Sequence, residues 1–322
     1  MKALVTGASG FIGKHLVKRL EKEGYEVRCL VRKDNNEFKN VVIGNLLDKD
    51  SLKKAVEGID IVFHLGAVIG SRGESKKEIW EANVDGTKNI IEESYSAGVK
   101  KFIHFSTFLV YGYTEKQANE ETLYKAETTF YGESKRQSEI IVREYNRDKG
   151  MKTVIIQPTI IHGPGLNFGF ASAFSAIQNG KFLLIGNGEN LQHLGYIDNL
   201  IEGTILASKG EEAVGKTYII GDEYLMTFKD LVEFIAKEVN VKIPRFHLPE
   251  MVARMLVLPL RILASVTRTE PLLDQRRINF MVKNQAGDIG KIKRELGFKP
   301  KVSPKEGLRL TIEHYKKIGV LK

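Results

Sequence analysis

The first 160 residues repeat one rhythm, and that rhythm constrains the fold more than any compositional figure. Short β-branched runs ("KALVTG", "EVRCLV", "IDIVFHLGA", "KKFIHFS", "KTVIIQP") alternate with longer stretches of helical period ("FIGKHLVKRLEKEG", "SLKKAVEG", "NVDGTKNIIEESYSAG", "GESKRQSEIIVREYNRDKG"). Continuous apolar runs suit strands buried on both faces. Helix-length segments between them imply right-handed crossovers onto a parallel sheet. The expected fold class is α/β, a doubly wound parallel sheet. Gly24, Gly58, Gly98 and Gly150 stand where helix C-terminal caps belong.

In such a sheet ligands gather beyond the carboxyl ends of the strands. Those ends read Gly7, Arg32, Asn45, Gly66, Ser106 with Thr107, and Pro158. After "HGPG" at 162–165 the rhythm loosens into "IGNGEN", "DNLIEGTILASKG", "KTYIIG" and "TFKDLVEFIAKEVN". We therefore expect a dinucleotide-binding domain over 1–165. Residues 166–322 then form mainly a smaller, mixed substrate domain, with some segments returning to the sheet.

The dinucleotide reading comes from "TGASGFIG". It places Gly7, Gly10 and Gly13 immediately after a strand and at the opening of a helix, the Rossmann-type arrangement. The first glycine allows the turn and the second lets a pyrophosphate approach the backbone. The helix N-terminus offers unpaired N–H groups and a positive dipole end. At the end of the second strand, where NAD sites place an acid for the ribose 2′-hydroxyl, the chain has Arg32 and Lys33. Two cations there favour the 2′-phosphate of NADP over NAD. Asp34, just beyond, is the residue that could serve NAD instead.

Composition excludes more than it selects. The single cysteine, Cys29, rules out a disulfide framework and points to a reducing compartment. No zinc-type spacing occurs among the seven histidines, so no metal site is expected. A first strand beginning at residue 2 leaves no room for a leader, and no run of about 18 uncharged apolar residues appears. The expected location is cytoplasmic. The net charge of +9 is uneven: residues 242–322 carry 18 Lys and Arg against 7 Asp and Glu. No basic segment with interleaved aromatics accompanies it, which argues against nucleic acid.

Two tyrosine–lysine pairs have the four-residue spacing that shares a helix face: Tyr131 with Lys135 in "YGESK", and Tyr145 with Lys149 in "YNRDK". Spacing alone does not choose between them. Position does. A strand end, a loop and a helix start can bring Tyr131 onto the rim that carries Thr107. Tyr145 lies roughly 21 Å further along the same helix at 1.5 Å per residue.

The chain also carries a series of motifs in order: "TGASGFIG", "GNLLD", "HLGA", "NVDGT", "STFLVYG", "YGESK" and "QPTIIHGPG". With these it resembles, over nearly its full length, the extended short-chain dehydrogenase/reductases, the NAD(P)-dependent epimerase/dehydratase group. The resemblance implies an oxidoreductase with Thr107, Tyr131 and Lys135 as catalytic residues. It implies a dinucleotide held by Gly7, Gly10, Phe11, Ile12, Gly13, Arg32, Lys33, Asn45, Leu46, Leu65, Gly66, Ala67, Asn83, Tyr131, Lys135, Pro158, Ile160 and Ile161. In that scheme the Lys135 ammonium lowers the pKa of the Tyr131 phenol, which exchanges the hydroxyl proton while Thr107 holds the substrate oxygen. Asn45 departs from the usual aspartate of its motif.

Further departures narrow the reaction. Dehydratases of the group place Asp and Glu after the catalytic threonine, where this chain has Phe108 and Leu109. Nucleotide-sugar epimerases carry an arginine after the glycine turn for the substrate diphosphate, where this chain has Gln192. "GNGENL" with "YIDNLIEGTILA", and the ending "DIGKIKRELGFKPKVSPKEGLRLTIEHY", resemble the 3β-hydroxysteroid dehydrogenase and dihydroflavonol reductase branch. The expected reaction is an alcohol/ketone interconversion on a sterol-like, lipid or polycyclic small molecule. Nucleotide-sugar epimerase is the alternative within the family, and a non-catalytic NADP sensor the alternative outside it. Homodimerisation is a further family expectation.

One stretch, "PEMVARMLVLPLRILASVTR" at 249–268, stays open between two readings. Arg254, Arg261 and Arg268 recur every seven residues among Met, Leu, Val and Ile. They make either a basic stripe on an element that lies at a membrane surface or the outward face of a core helix. Pro259 predicts two short helices rather than one.

Overall fold

The computed structural model describes residues 1–34, 36–70, 73–125, 129–166, 169–243, 247–267 and 273–322. Six strands of its central sheet come from the first half of the chain: β1 (Lys2–Thr6), β2 (Glu26–Val31), β3 (Val41–Ile43), β4 (Ile61–His64), β5 (Lys101–Phe105) and β6 (Thr153–Pro158). A seventh strand, Thr217–Ile220, comes from beyond residue 165 and pairs with β6. All pairings are parallel, and the order from that strand runs β6-β5-β4-β1-β2-β3. The order reverses between β1 and β4, which opens a crevice at their carboxyl ends. This is the expected Rossmann-type doubly wound sheet.

Helices cover both faces. Helix α1 (Phe11–Lys22) lies beside the helix Ile197–Lys209 on one side. Helices α2 (Lys49–Val56), α4 (Gly86–Ser96) and α5 (Phe130–Lys149) lie on the other. The strands read as apolar runs because both faces are core. Val5, Phe63 and Ile103 pack towards α1, while Leu4, Val62 and Phe102 pack towards α2, α4 and α5. Each such buried aliphatic or aromatic side chain stabilises the fold by about 1.5–3 kcal/mol. The expected capping glycines all have left-handed φ, from 67° at Gly58 to 82° at Gly24.

Residues beyond 165 divide their packing. Ile197, Tyr218, Ile289 and Phe298 join the core under the sheet, whereas Phe174, Phe228, Leu231, Ile312 and Tyr315 build a second, smaller core.

Two local expectations fail. The helix expected to start at Asn83 is preceded by α3 (Lys76–Trp80), which opens with a reciprocal Ser75–Glu78 capping box, and by a π-helical turn over Glu81–Asp85. Pro259 does not split its segment: Glu250–Thr267 is one helix with the proline inside. The carbonyl that loses its partner belongs to Met255, an exposed residue, so water can satisfy it.

Candidate active site

The glycine turn is built by close approach. Gly7 has φ +70°, and a Cβ there would lie 2.8 Å from the backbone nitrogen of Gly66, so the ends of β1 and β4 meet backbone to backbone. A Cβ on Gly13 would fall 2.2 Å from the Gly7 carbonyl, which is why α1 can start directly under the turn. No side chain caps α1 at Gly10, and its first turn holds no acid. Its leading N–H groups and dipole thus face the crevice, a fit for a pyrophosphate. Phe11 and Ile12 are half-buried at this helix start. His15 bonds the Pro164 carbonyl at 2.9 Å, which ties α1 to the "HGPG" loop.

Behind the turn runs a buried hydrogen-bond chain with one direction. Thr87 donates to the Asn83 carbonyl at 2.6 Å, so its oxygen receives the Nε2–H of His64 at 2.9 Å. Nδ1 of His64 then accepts from Thr6 at 2.7 Å, and Thr6 accepts the Gly66 N–H at 3.1 Å. One neutral tautomer satisfies every member. Burial, with the Lys135 charge adding to it, holds His64 well below the usual imidazole range. Asn83 continues the chain: its oxygen accepts the Val68 N–H at 2.7 Å, and its nitrogen donates to the Val68 carbonyl and to Ser134, each at 2.9 Å. Ser134 in turn donates to the Tyr131 carbonyl at 2.8 Å.

Fully buried and with both amide hydrogens used, Asn83 clamps the loop after β4 to α5.

Thr107 and Tyr131 come from different elements that the fold presses together. Thr107 caps a short 3₁₀ turn, Phe108–Tyr111, and accepts the Leu109 N–H at 3.3 Å, which leaves its hydroxyl proton to donate. Ser106, one residue earlier, is buried. The first turn of α5 lies directly on that 3₁₀ turn: a Cβ on Gly132 would sit 2.9 Å from the Leu109 carbonyl. Thr129 caps α5 by accepting the Gly132 N–H at 2.9 Å. Tyr131 therefore lies in the turn of α5 that packs on the 3₁₀ turn capped by Thr107, and Lys135 lies buried one turn further in.

The electrostatics differ from the expectation. Burial alone pushes the Tyr131 phenol up to about 12. Burial also pulls the Lys135 ammonium down to about 7, against the opposing attraction of Glu139. Desolvation sets the direction of both shifts.

A polar cluster that sequence reading missed lies below them. Glu139, fully buried, accepts from Arg143 at 2.9 Å, from Gln157 at 2.8 Å and from the Tyr124 hydroxyl. Gln157 accepts from Tyr111 at 2.7 Å. His104 stacks on His64 at 5.5 Å, and burial foremost keeps it neutral. A histidine inside each of the apolar runs "IVFH" and "KFIHF" was the available signal, since a polar group in such a run needs a local account.

Leu46 meets Gly66, where a Cβ would lie 3.0 Å from Leu46 Cδ1, while Leu65 packs towards the core on the α1 side. Ala67 is exposed next to them. Asn45 spends its side-chain oxygen on the Leu47 N–H at 2.8 Å. Arg32 and Lys33 are exposed past the end of β2, while Asp34 accepts the Asn36 N–H at 2.8 Å. Pro158 ends β6, and Ile160 and Ile161 continue into the short strand Ile160–His162. Adjacent on that strand, Ile160 packs towards the second core and Ile161 towards the first, so their side chains do not share one wall.

Gln192 is buried and committed. Its amide nitrogen donates to the Phe280 and Lys283 carbonyls at 3.0 and 3.1 Å, and Asn190 reaches the same two. Together they hold the C-terminal end of the helix Gln275–Val282. Of the three arginines at seven-residue spacing, Arg254 turns inward to Glu250, Gln275 and Asn279. Arg261 is exposed, and Arg268 lies outside the described residues. The expected basic stripe is broken at its first member.

Comparison with known proteins agrees with this architecture. The chain is 28% identical over 333 residues to a 3-beta-hydroxysteroid dehydrogenase of Mycolicibacterium neoaurum, covering 98% of this chain and 91% of that one. It is 26% identical to the N-acetyl-alpha-D-glucosaminyl-diphospho-ditrans,octacis-undecaprenol 4-epimerase of Escherichia coli O157:H7, over 97% of this chain and 94% of the other. Its fold superposes on the UDP-glucose 4-epimerase of Thermotoga maritima, solved with UDP-glucose, with a TM-score of 0.79 at 24% identity and 99% coverage of both chains. The family model for NAD dependent epimerase/dehydratase proteins matches residues 3–221. The chain is thus an NAD(P)-dependent enzyme and belongs to the NAD dependent epimerase/dehydratase family.

Proposed function

We propose that the chain interconverts a secondary alcohol and a ketone on a fairly apolar small molecule, sterol-like, lipid or polycyclic, and prefers NADP to NAD. The observation that carries the chemistry is the meeting of the Thr107 turn and the first turn of α5 at Gly132, with Lys135 buried directly behind. Gly10, Phe11 and Ile12 would hold the pyrophosphate at the start of α1, and Arg32 and Lys33 the 2′-phosphate, since Asp34 is already engaged with Asn36.

A bound nicotinamide supplies or takes up hydride. The chain's own residues handle the oxygen. Tyr131, kept neutral by burial, holds its proton on Oη and donates it to a carbonyl oxygen. The Thr107 hydroxyl orients that same oxygen. Lys135, pulled down to about 7, can take or return a proton near neutral pH.

The apolar substrate class rests on Gln192. Where epimerases carry a diphosphate-binding arginine, this chain has a buried amide spent on holding a helix. A thermal-shift panel tests the reading, because a ligand of the native state raises the melting midpoint by mass action. We expect NADP(H) to shift the midpoint more than NAD(H). Sterol-like ketones should add a further shift and UDP-sugars should add none. A UDP-sugar shift with no response to ketones would return the chain to the epimerase reading.

A further inference from the structure

The helix Glu250–Thr267 inverts the usual amphipathic order. Small residues face the protein: Ala253 and Ala264 are buried, the first in a cluster with Ile185 and Ile278. Large ones face out. Met251, Met255, Leu258 and Ile262 follow the i, i+4, i+7, i+11 spacing of one helix face and are 75%, 71%, 65% and 58% exposed. Val252 and Leu256 are exposed beside them, and at 3.6 residues per turn the six span roughly 160° of arc.

We infer that this helix docks the enzyme onto an anionic lipid surface, with its apolar arc sunk to the headgroup boundary. The breadth of the arc favours that occupant over a second copy of the chain, because a helix–helix seam needs only a narrow two-residue stripe. Charge points the same way. The one carboxylate of the helix, Glu250, is neutralised by Arg254 at 2.7 Å, and Arg261 is exposed at the flank of the arc. The stretch of chain to which the helix belongs, 242–322, carries 18 cationic against 7 anionic residues. No helix among the described residues is long and apolar enough to cross a membrane, so the element lies on the surface.

The helix is linked to the candidate site through its neighbour. Arg254 bonds Gln275 and Asn279 of the next helix at 2.6 and 2.9 Å. That helix reaches the loop after β4 through Arg276 to the Gly70 carbonyl at 3.4 Å. Just past its end, the Asn284 carbonyl accepts the Thr114 N–H at 3.1 Å, behind the Thr107 turn. Docking thus sets the crevice mouth against the phase from which an apolar substrate would enter. Only this last point rests on the proposed chemistry, and vesicle binding is read without turnover.

Flotation of the full chain tests it, with vesicles of phosphatidylcholine alone and vesicles that also contain phosphatidylglycerol. We expect recovery with the anionic vesicles at low salt. It should fall by about tenfold or more in Met255→Glu/Leu258→Glu/Ile262→Glu and by several-fold in Arg261→Glu. Unchanged melting midpoints would show that these exposed changes leave the fold intact. No recovery of the wild-type chain, or equal recovery of the triple variant, would overturn the proposal. A wild-type dimer that the triple variant splits, with no vesicle binding by either, would assign the face to a second copy instead.

Discussion

Helix α5 carries two tyrosine–lysine pairs of identical spacing, and its two ends place them in opposite surroundings. At the N-terminal end Lys135 is buried and Tyr131 opens the helix against the Thr107 turn. At the C-terminal end Lys149 is exposed beside the capping Gly150, and Tyr145 packs edge-on against Tyr95 at 5.9 Å. A four-residue spacing guarantees a shared face and nothing more. What separates the pairs is the backbone that meets that face and the water it excludes.

The comparison breaks most visibly under substitution of the phenols. Tyr131→Phe should lower ketone turnover, followed by NADPH consumption, by about a thousandfold while NADP affinity stays within a few fold. Tyr145→Phe should leave turnover within about twofold. Equal effects at the two ends would erase the distinction.

The lysines sharpen it through stability. The folded pKa of Lys135, about 7, lies below the ordinary 10.5, so between those values the unfolded chain binds the proton more readily. The cost is absent above pH 10.5, grows as pH falls, and is complete below pH 7. Lys135→Met should therefore stabilise the ligand-free protein at neutral pH by on the order of 4 kcal/mol relative to its effect near pH 10.5, while abolishing most activity. Lys149→Met should show no such pH dependence. Denaturant titrations at the two pH values read both.

The glycines come next. Gly132→Ala drives a Cβ to 2.9 Å from a backbone carbonyl that cannot swing away. It should cost about 1–3 kcal/mol and slow turnover, because the two turns that bear Thr107 and Tyr131 are forced apart. Gly150→Ala meets nothing within 4 Å but sits at φ +68°, so it should cost about 1 kcal/mol with turnover intact. Smallest is the cofactor preference. Arg32→Ser should weaken NADP binding about tenfold and leave NAD binding unchanged, as measured by calorimetric titration.

The sheet was legible because strands buried on both faces must be apolar throughout, and the glycine turn because only glycine tolerates the approach to Gly66. The choice of Tyr131 over Tyr145 also follows from position along the chain. Other features depend on partners far away in sequence. Asn83 and His64 join Thr6 to Tyr131 through Thr87 and Ser134, and no periodicity announces that chain. Arg254 looked like one member of a stripe until Gln275 and Asn279 drew it inward. The direction of the Tyr131 shift depends on how completely the first turn of α5 is enclosed, a property of the assembled fold.

A crystal structure of the chain with NADP tests the account most directly. The account predicts the pyrophosphate on the backbone N–H groups from Gly10 to Ile12, the 2′-phosphate against Arg32 and Lys33, and Tyr131, Lys135 and Thr107 around the nicotinamide end. A dinucleotide seated outside the β1–β4 crevice, or one whose nicotinamide end lies away from Tyr131, would contradict it.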